Sequence, residues 1–150
     1  MADIRPDLRY TEDHEWARPD GDVVVEHTTV DPAFTVAVEG GLFNFASVRL
    51  TPDVHTFAAD VARVSEAKRD TTELEPFEGV RDDVLFMSCV PWLAFTSLTH
   101  PVHTDRVDSV PRIAWGRMEK VHGRVLVPVN IQVHHALVDG AHLGAFFGAL

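Results

Sequence analysis

The sequence predicts a single α/β domain over residues 1–150, with strands in both halves of the chain and two helices. Three observations support this prediction. The length of 150 residues is enough for one domain with its own core but too short for two independent ones. Apolar runs of strand length recur along the chain, separated by turn signals. Two other segments, 54–68 and 141–150, carry apolar residues at helical spacing.

The first half of the chain begins with about twenty polar and irregular residues. Asp20 and Gly21 form a turn signal, which the first strand follows. Residues 40–41 are both glycine and are expected to end the second strand. The third strand alternates in part, so one of its faces is expected to be exposed to solvent. The three predicted strands cover 23–25, 34–38 and 42–50.

The first helix is predicted from about residue 54 to Lys68. Thr51 is expected to be its N-cap, and Pro52 suits the first helical position. Asp53 favours the positive end of the helix dipole. The segment 69–83 is polar and acidic and contains a proline and a glycine, so it is predicted to be a loop.

The second half of the chain is richer in strands. Pro91 is expected to end the first of them, because proline has no backbone N–H to donate. His122 and Gly123 predict a turn that joins the next two strands in a hairpin. The predicted elements are strands over 84–90, 112–119 and 124–133 and a helix over 141–150.

The composition excludes some partners. The net charge of -10 argues against nucleic acid and anionic membranes. The single cysteine, Cys89, cannot form an intramolecular disulfide, which favours a reducing compartment. It lies in an apolar run and is expected to be a small buried hydrophobe. Because the first residues do not resemble a signal peptide and no apolar run reaches membrane-spanning length, the sequence predicts a soluble, cytoplasmic protein.

The nine histidines raise the question of a metal site. His134, His135, Asp139 and His142 lie within nine residues, a composition that can bind a metal. Adjacent histidines at the end of a strand, however, point to opposite faces and do not easily share one ion. His100 and His103 lie in a proline-bounded loop without an obvious third ligand. The sequence therefore predicts no metal site.

The spacing from His135 to Asp139 and Gly140 favours a different chemistry. A carboxylate in a turn after a histidine can fix the imidazole in one tautomer, either directly or by organising the nearby backbone. An oriented neutral imidazole is a good general base for a hydroxyl or a thiol. The spacing is equally compatible with two partly buried histidines beside a turn aspartate, so both interpretations stay open at this point.

Two segments resemble chloramphenicol acetyltransferases. Residues 132–142 are similar to the active-site pattern Q-h-H-H-A-x-x-D-G-(F/Y)-H, with Ala141 in place of the aromatic residue. Condensation domains and dihydrolipoamide acyltransferases carry related histidine motifs. Residues 88–97 resemble the S-x-x-P-W-x-x-F-x-S segment of the same family. The resemblance covers nearly the whole chain and is strongest from Val84 onward.

The resemblance implies a two-layer α/β fold in which helices pack on one side of a mixed sheet. Family members are homotrimers with active sites at subunit interfaces. By carry-over, His135 would take the proton from an acceptor hydroxyl that attacks acetyl-CoA, and Ser88 would stabilise the resulting oxyanion. Asp139 would support the histidine loop. The segment 111–117 matches a strand that lines the acceptor pocket. The residues expected to bind substrate are Trp92, Phe95, Ala114 and His134.

The chain also departs from the family pattern. It lacks the N-terminal strand-and-helix region, which carries walls of the chloramphenicol pocket and the arginine that pairs with the aspartate at the position of Asp139. Ala114 replaces a threonine, and the chain ends earlier than the family's last helix. We therefore expect a small-molecule acceptor other than chloramphenicol, and a homotrimer, a larger assembly or a partner protein that covers the truncated face. The alternative function is a non-catalytic subunit of a larger complex.

Overall fold

A computed structural model describes residues 9–10, 16–17, 27–71, 81–102 and 108–150. The chain divides into two compact units, which are described separately. The sheet unit is residues 27–132, and the terminal unit comprises residues 1–26 and 133–150. The prediction of a single domain stays a prediction. Within the described residues, no helix combines the length and the apolar character needed to cross a membrane.

The sheet unit is built on a five-stranded mixed sheet with the strand order β4-β3-β5-β6-β9. The central pairs β3–β5 and β5–β6 are parallel, and the outer pairs β3–β4 and β6–β9 are antiparallel. This arrangement confirms the predicted α/β class with a mixed sheet. The strands are β3 (Asp31–Ala37), β4 (Phe43–Ser47), β5 (Val84–Val90), β6 (Arg112–Gly116) and β9 (Val129–Gln132).

The core of the sheet unit lies where the parallel strands meet. Ala33 of β3, Val84 of β5 and Val110 are buried together, and Phe86 packs against them. The β5 strand has the predicted bounds, whereas β3 begins three residues earlier than predicted and β4 is shorter at both ends. The alternation predicted for β4 is confirmed, because its buried residues are every second one.

Helix α1 (Val54–Lys68) begins at a different cap from the predicted one. Asp53, not Thr51, is the N-cap, and its carboxylate accepts a hydrogen bond from the Thr56 backbone N–H at 2.7 Å. Aspartate is a preferred N-cap because its side-chain oxygen accepts such a bond. Its negative charge is also stabilised by the positive end of the helix dipole. Pro52 consequently lies before the cap rather than at the first helical position.

The far end of α1 is tied to the sheet by Asn44 of β4. Its side-chain amide is almost completely buried and donates to the carbonyl oxygens of Lys68 and Thr71 and to the Thr71 hydroxyl. The Lys68 carbonyl is among those that a helix C-terminus leaves without partners inside the helix, and the Thr71 carbonyl follows just after that end. These hydrogen bonds fix the end of α1 against β4, and the helix ends at Lys68, as predicted.

Two predicted long strands are each interrupted. The hairpin itself is confirmed, since β7 (Glu119–Val121) pairs with β8 (Arg124–Leu126) through a turn at His122 and Gly123. Both turn residues have positive φ, 49° and 79°, the conformation that two-residue hairpin turns require. The strand predicted over 112–119 breaks after Gly116 and the one over 124–133 breaks at Pro128, where Gly116 N–H donates to the Pro128 carbonyl at 3.0 Å.

The terminal unit contains a short ladder and a helix. Strands β1 (Arg9–Tyr10) and β2 (Trp16–Ala17) pair antiparallel within a segment predicted to be irregular. Helix α2 (Gly140–Ala149) begins one residue before its predicted start. The strand predicted over 23–25 and the turn before it lie outside the described residues.

Cys89 is exposed, so its predicted burial is wrong. It lies on β5 between Ser88 and Val90, where side chains alternate between the two faces of the sheet. The apolar run around it reflects the partly buried residues on either side rather than complete burial of the strand.

Candidate functional site

Residues 134–142 form a compact segment, named here the histidine turn. The carbonyl oxygen of His134 accepts backbone hydrogen bonds from Leu137 at 3.0 Å and from Val138 at 3.1 Å. His135 therefore lies inside a turn, three residues after the end of β9, and not at the end of a strand as predicted. Both histidine side chains are exposed.

The His135 ring has one nitrogen committed to the backbone. Its Nδ1 lies 3.4 Å from the carbonyl oxygen of Val138. Because a carbonyl oxygen can only accept, this contact favours the tautomer with the proton on Nδ1, and in a neutral ring Nε2 then has a free lone pair. The turn thus holds the exposed imidazole in the tautomer that can accept a proton at Nε2.

His134 has the opposite tautomer. Its Nδ1 accepts a hydrogen bond from the Ala136 backbone N–H at 3.3 Å. That nitrogen consequently carries no proton, and the neutral ring has its hydrogen on Nε2. The two neighbouring rings therefore offer different chemistry: His135 can act as a base, and His134 can donate a hydrogen bond.

Asp139 supports this turn as the N-cap of α2. Its Oδ1 accepts the backbone N–H groups of Ala141 at 2.8 Å and His142 at 3.1 Å. The His142 ring completes a capping box, with its Nδ1 lying 3.1 Å from the Asp139 backbone nitrogen and 2.9 Å from Oδ1. The hydrogen bond from His142 N–H is the main cause that lowers the pKa of Asp139 below its usual value. Of the two routes left open by the sequence, Asp139 therefore organises the backbone.

The second candidate region is one face of the sheet. Residues paired in register across a sheet lie on the same face. Two rows cross β5, β6 and β9: Ser88, Ala114 and Asn130 form one, and Phe86, Arg112 and Gln132 form the other. On each strand the two rows are two residues apart, so all six side chains lie on the same face of the sheet.

A cavity of about 340 Å³, named here the sheet cavity, lies on this face. Its volume is within the range of small-molecule sites. Most of its lining is apolar or aromatic, and three residues bring polar groups. It is lined by Phe45, Phe86, Met87, Ser88, His100, Pro101, Val102, Arg112 and Ile113.

His100 is fixed over the cavity by two side chains of β9. Its backbone N–H donates to Gln132 Oε1 at 3.1 Å, and its Nε2 lies 3.0 Å from Asn130 Oδ1. By sequence, His100 was a candidate for metal binding alone. The signal that it belongs to the cavity is the polar alternation of β9, in which Asn130 and Gln132 interrupt an apolar strand.

Arg112 is the third polar residue of the lining. It lies in the segment 111–117, which was expected to line the acceptor pocket, but no role of its own was predicted. Its guanidinium forms a two-pronged ion pair with Asp108, with N–O distances of 3.0 and 2.6 Å, and donates to the Val110 carbonyl at 2.9 Å. The two charged side chains are only 11% and 7% exposed. The guanidinium carbon also lies 5.6 Å from the centre of the Phe86 ring.

Three of the predicted substrate-binding residues belong to the sheet unit, namely Trp92, Phe95 and Ala114, and they are not among the residues that line the cavity. Trp92 is 72% exposed, and Ala114 is buried at 1% in the same row as Ser88. Phe95 packs near Gly116, where a Cβ atom would meet the Leu93 carbonyl oxygen and would lie 2.9 Å from Pro128 and 3.0 Å from Phe95. Glycine at 116 is thus required by close approach of the segment that follows β5.

Within the part of the chain that the structure describes, no group of three or more histidine, cysteine, aspartate or glutamate side chains could hold a metal ion. His103 lies outside that part. The polar neighbour of the His142 ring is Asp139, its partner in the capping box, and the polar neighbour of the His100 ring is Asn130.

The fold is shared with solved acyltransferases. A chloramphenicol acetyltransferase structure superimposes with a TM-score of 0.72 over 95% of this chain and 65% of that chain, at 21% identity. A dihydrolipoamide acetyltransferase of Azotobacter vinelandii gives a TM-score of 0.60 over 87% of this chain and 56% of its own, at 16% identity. The mixed sheet and the first superposition show an α/β fold of the chloramphenicol acetyltransferase type.

The family follows from the sequence comparisons. The family model described as chloramphenicol acetyltransferase matches residues 11–150. Chloramphenicol acetyltransferase 2 of Escherichia coli is 31% identical over 80% of this chain and 57% of its own length. Chloramphenicol acetyltransferase 3 of the same organism is 30% identical over 86% of this chain and 61% of its own length. The chain therefore belongs to the chloramphenicol acetyltransferase family, and it spans somewhat more than half the length of these relatives.

Proposed function

We propose that the protein is an O-acyltransferase that moves an acetyl group from acetyl-CoA to a hydroxyl of a small molecule. The observation that carries this proposal is the contact between His135 Nδ1 and the Val138 carbonyl in an exposed ring. With the proton on Nδ1, Nε2 of the neutral ring has a free lone pair. A general base needs this combination of correct protonation and access to the substrate. Family membership supports the choice of an acetyl-CoA thioester as the donor substrate.

The proposed reaction is direct attack. His135 Nε2 takes the proton of the acceptor hydroxyl while the oxygen attacks the thioester carbonyl carbon. The carbonyl electron pair moves to oxygen, and the Ser88 hydroxyl donates a hydrogen bond to that oxyanion. When the tetrahedral intermediate collapses, the C–S bond breaks and the CoA thiolate takes the proton from the His135 imidazolium. Asp139 keeps the turn in place as the cap of α2.

We further propose that the sheet cavity holds the acceptor, with Ser88 in its wall and Arg112 and Ile113 as part of the strand expected to line it. Trp92, Phe95, Ala114 and His134 are proposed to contact the substrates. The acceptor is proposed to differ from chloramphenicol, because a histidine and a neutralised guanidinium line this cavity. An exposed free thiol at Cys89 fits a reducing compartment, which supports a cytoplasmic location.

The test compares wild-type protein with His135→Ala in a CoA-release assay with a panel of primary and secondary alcohols. Loss of thioester absorbance is the better readout, since a thiol reagent would also react with the exposed Cys89. We expect His135→Ala to reduce the rate by about 10²- to 10⁴-fold, the usual contribution of a general base. Unfolding curves should not change, because the side chain is exposed and makes one long hydrogen bond.

His55→Ala is the matched control, since His55 is exposed on α1 and the same truncation there removes no proposed chemistry. Its transfer rate should equal that of the wild type. The acyltransferase proposal is wrong if the wild type transfers no acetyl group to any alcohol of the panel, or if His135→Ala is as fast as the wild type.

We also propose that copies of the chain assemble, as a homotrimer or in a larger complex. The α2 sequence is apolar around almost its whole circumference, yet none of its residues is buried, and Phe146 and Phe147 are among the exposed ones. Such a helix is normally covered by protein. Native mass spectrometry with and without acetyl-CoA gives the subunit number, and a monomer in both samples would contradict this proposal.

A non-catalytic subunit is the second candidate function. What favours it is Ala114, which leaves the row between Ser88 and Asn130 without a hydroxyl. This alternative requires no turnover with any CoA thioester and a second protein that co-purifies with the chain. The two functions are separated by the same native mass spectrometry and transfer experiments.

A further inference from the structure

We propose that His100 selects the acceptor: its Nδ1 accepts a hydrogen bond from a hydroxyl of the acceptor other than the one that is acylated. This inference rests on the proposal that the sheet cavity holds the acceptor. The ligand class that follows is a neutral, ring-containing alcohol with a second hydroxyl.

The tautomer of His100 follows from its partner. Nε2 lies 3.0 Å from Asn130 Oδ1, an amide oxygen that can only accept a hydrogen bond. Nε2 therefore carries the proton, and Nδ1 of the neutral ring has a free lone pair. Among the described residues Nδ1 has no partner, although the ring lines the cavity. An unpaired acceptor beside an apolar cavity is a specificity element, because a ligand without a donor leaves it unsatisfied.

The position of the ring is fixed at two points. Asn130 holds Nε2 and Gln132 holds the His100 backbone N–H, and both belong to the same face of β9. A side chain that is already held loses little rotamer entropy when a ligand binds. This preorganisation distinguishes His100 from the exposed histidines elsewhere in the chain, such as His55 on α1.

The rest of the lining decides the class of ligand. Phe45 and Phe86 meet edge to face with their centroids 6.5 Å apart and form an aromatic wall. Arg112 brings no unbalanced charge, since Asp108 neutralises it through two hydrogen bonds. A carboxylate ligand would have to compete with Asp108 for that guanidinium, whereas a neutral ring packs on the aromatic wall without this competition.

The test measures binding to the full chain by calorimetry, with no acyl donor present. The probes are 4-hydroxybenzyl alcohol and 4-methylbenzyl alcohol. They have nearly the same shape, and in the second a methyl group replaces the ring hydroxyl. We expect the wild type to bind the hydroxylated probe about tenfold more tightly, as expected for one hydrogen bond to an otherwise unpaired group. His100→Leu should reduce that ratio to about one, because it removes the acceptor and keeps the volume.

Two further variants separate the role of His100 from a general change in the cavity. Asn130→Leu keeps the His100 ring but removes the oxygen that holds the proton on Nε2. The preference for the hydroxylated probe should therefore fall to a value between those of the wild type and His100→Leu. His55→Leu makes the same replacement outside the cavity and should keep the full preference. Unfolding curves for each variant show that binding is compared between folded proteins.

Nitrogen NMR of the His100 ring gives a second readout. We expect a pyrrole-type resonance at Nε2 and a pyridine-type resonance at Nδ1, with the Nδ1 resonance shifting on addition of the hydroxylated probe and not of the methylated one. The inference is overturned if His100→Leu keeps the tenfold preference, if the wild type has none, or if Nδ1 proves to be the protonated nitrogen. These outcomes do not depend on acetyl transfer, so they are distinct from a failure of the acyltransferase proposal.

Discussion

The histidine turn and the sheet cavity hold their polar groups by different means. In the turn, the partners are backbone groups close in sequence: Val138 for His135, and Ala141 and His142 for Asp139. In the cavity, side chains hold side chains, and the partners are as much as 30 residues apart, as for His100 and Asn130. The turn is exposed, whereas the cavity wall includes the nearly buried pair of Arg112 and Asp108.

This difference separates chemistry from stability. An exposed group held by its own backbone can be removed at little cost to folding, so substitutions in the turn should act on the rate. A paired group in the cavity wall supports the sheet, so substitutions there should act on the free energy of unfolding. Ser88 is the exception in the cavity wall, because its hydroxyl makes no hydrogen bond among the described residues, so its removal should act on the rate.

The largest effect is expected for Asp108→Ala. It leaves the Arg112 guanidinium nearly buried without its partner, which typically costs about 3–5 kcal/mol of unfolding free energy. Urea unfolding measures this loss. Asp60→Ala is the matched control, because Asp60 pairs with Arg63 at the surface of α1, and such pairs contribute at most about 1 kcal/mol. Equal losses for the two variants would show that the cavity wall is no more cohesive than the surface.

The next effect concerns Ser88→Ala and falls on catalysis. If Ser88 has its proposed role as oxyanion donor, its removal should lower kcat by about 10²- to 10³-fold, with little change in stability. Steady-state transfer to the best alcohol of the panel measures it. Ser97→Ala is the control, since Ser97 is exposed in the same segment after β5. If Ser88→Ala keeps wild-type kcat, the cavity wall contributes nothing to the transition state.

A smaller effect is expected for Gly116→Ala, on the strand that carries Arg112. The added Cβ would meet the Leu93 carbonyl oxygen and the rings of Pro128 and Phe95, and such overpacking costs about 1–3 kcal/mol. Gly144→Ala in α2 is the control, because no atom lies within 4 Å of its Cβ position. That substitution should raise helix stability by about 0.5–1 kcal/mol. Urea unfolding measures both variants, and the unfolding free energy should fall for Gly116→Ala and rise for Gly144→Ala.

The same contrast explains what the sequence could predict. The turn that holds Asp139 was predicted, because Asp139 and Gly140 follow His135 closely in the sequence, although His135 itself was expected at the end of a strand and lies inside the turn. The strand of Ser88 was predicted to the residue because it is an unbroken apolar run before a proline. The role of His100 depends on strand register and on Asn130 and Gln132, which local patterns do not encode because they lie 30 and 32 residues away. The partner of Arg112 is only four residues away, but the near burial of the pair depends on the sheet around it.

The predicted N-cap at Thr51 failed for a related reason. Thr51 and Asp53 are both good caps by residue type, and the choice between them depends on where the chain leaves β4. The interruption at Gly116 and Pro128 likewise depends on the close approach of Leu93 and Phe95, which comes from another part of the chain.

The smallest effect concerns the charge of Asp139 and depends on pH. Its pKa is lowered in the folded state, chiefly by the His142 backbone N–H, so its charge stabilises the fold above the unfolded pKa of about 3.9. That contribution is lost as the pH falls through the folded pKa. Asp139→Asn keeps an oxygen for the cap but no charge. We therefore compare the thermal midpoints of wild type and variant from pH 5 down to pH 2. Their difference should be constant above about pH 4 and shrink below it.

Asp53→Asn on α1 is the matched control for this last prediction. Asp53 is also an N-cap with a lowered pKa, here chiefly because of its hydrogen bond with Thr56, so its stability difference should fade in the same direction. The two variants should differ in transfer rate, because Asp139 supports the turn that orients His135 and Asp53 supports a helix of the sheet unit. Equal, wild-type transfer rates for both would mean that the cap of α2 and the orientation of the His135 ring are independent.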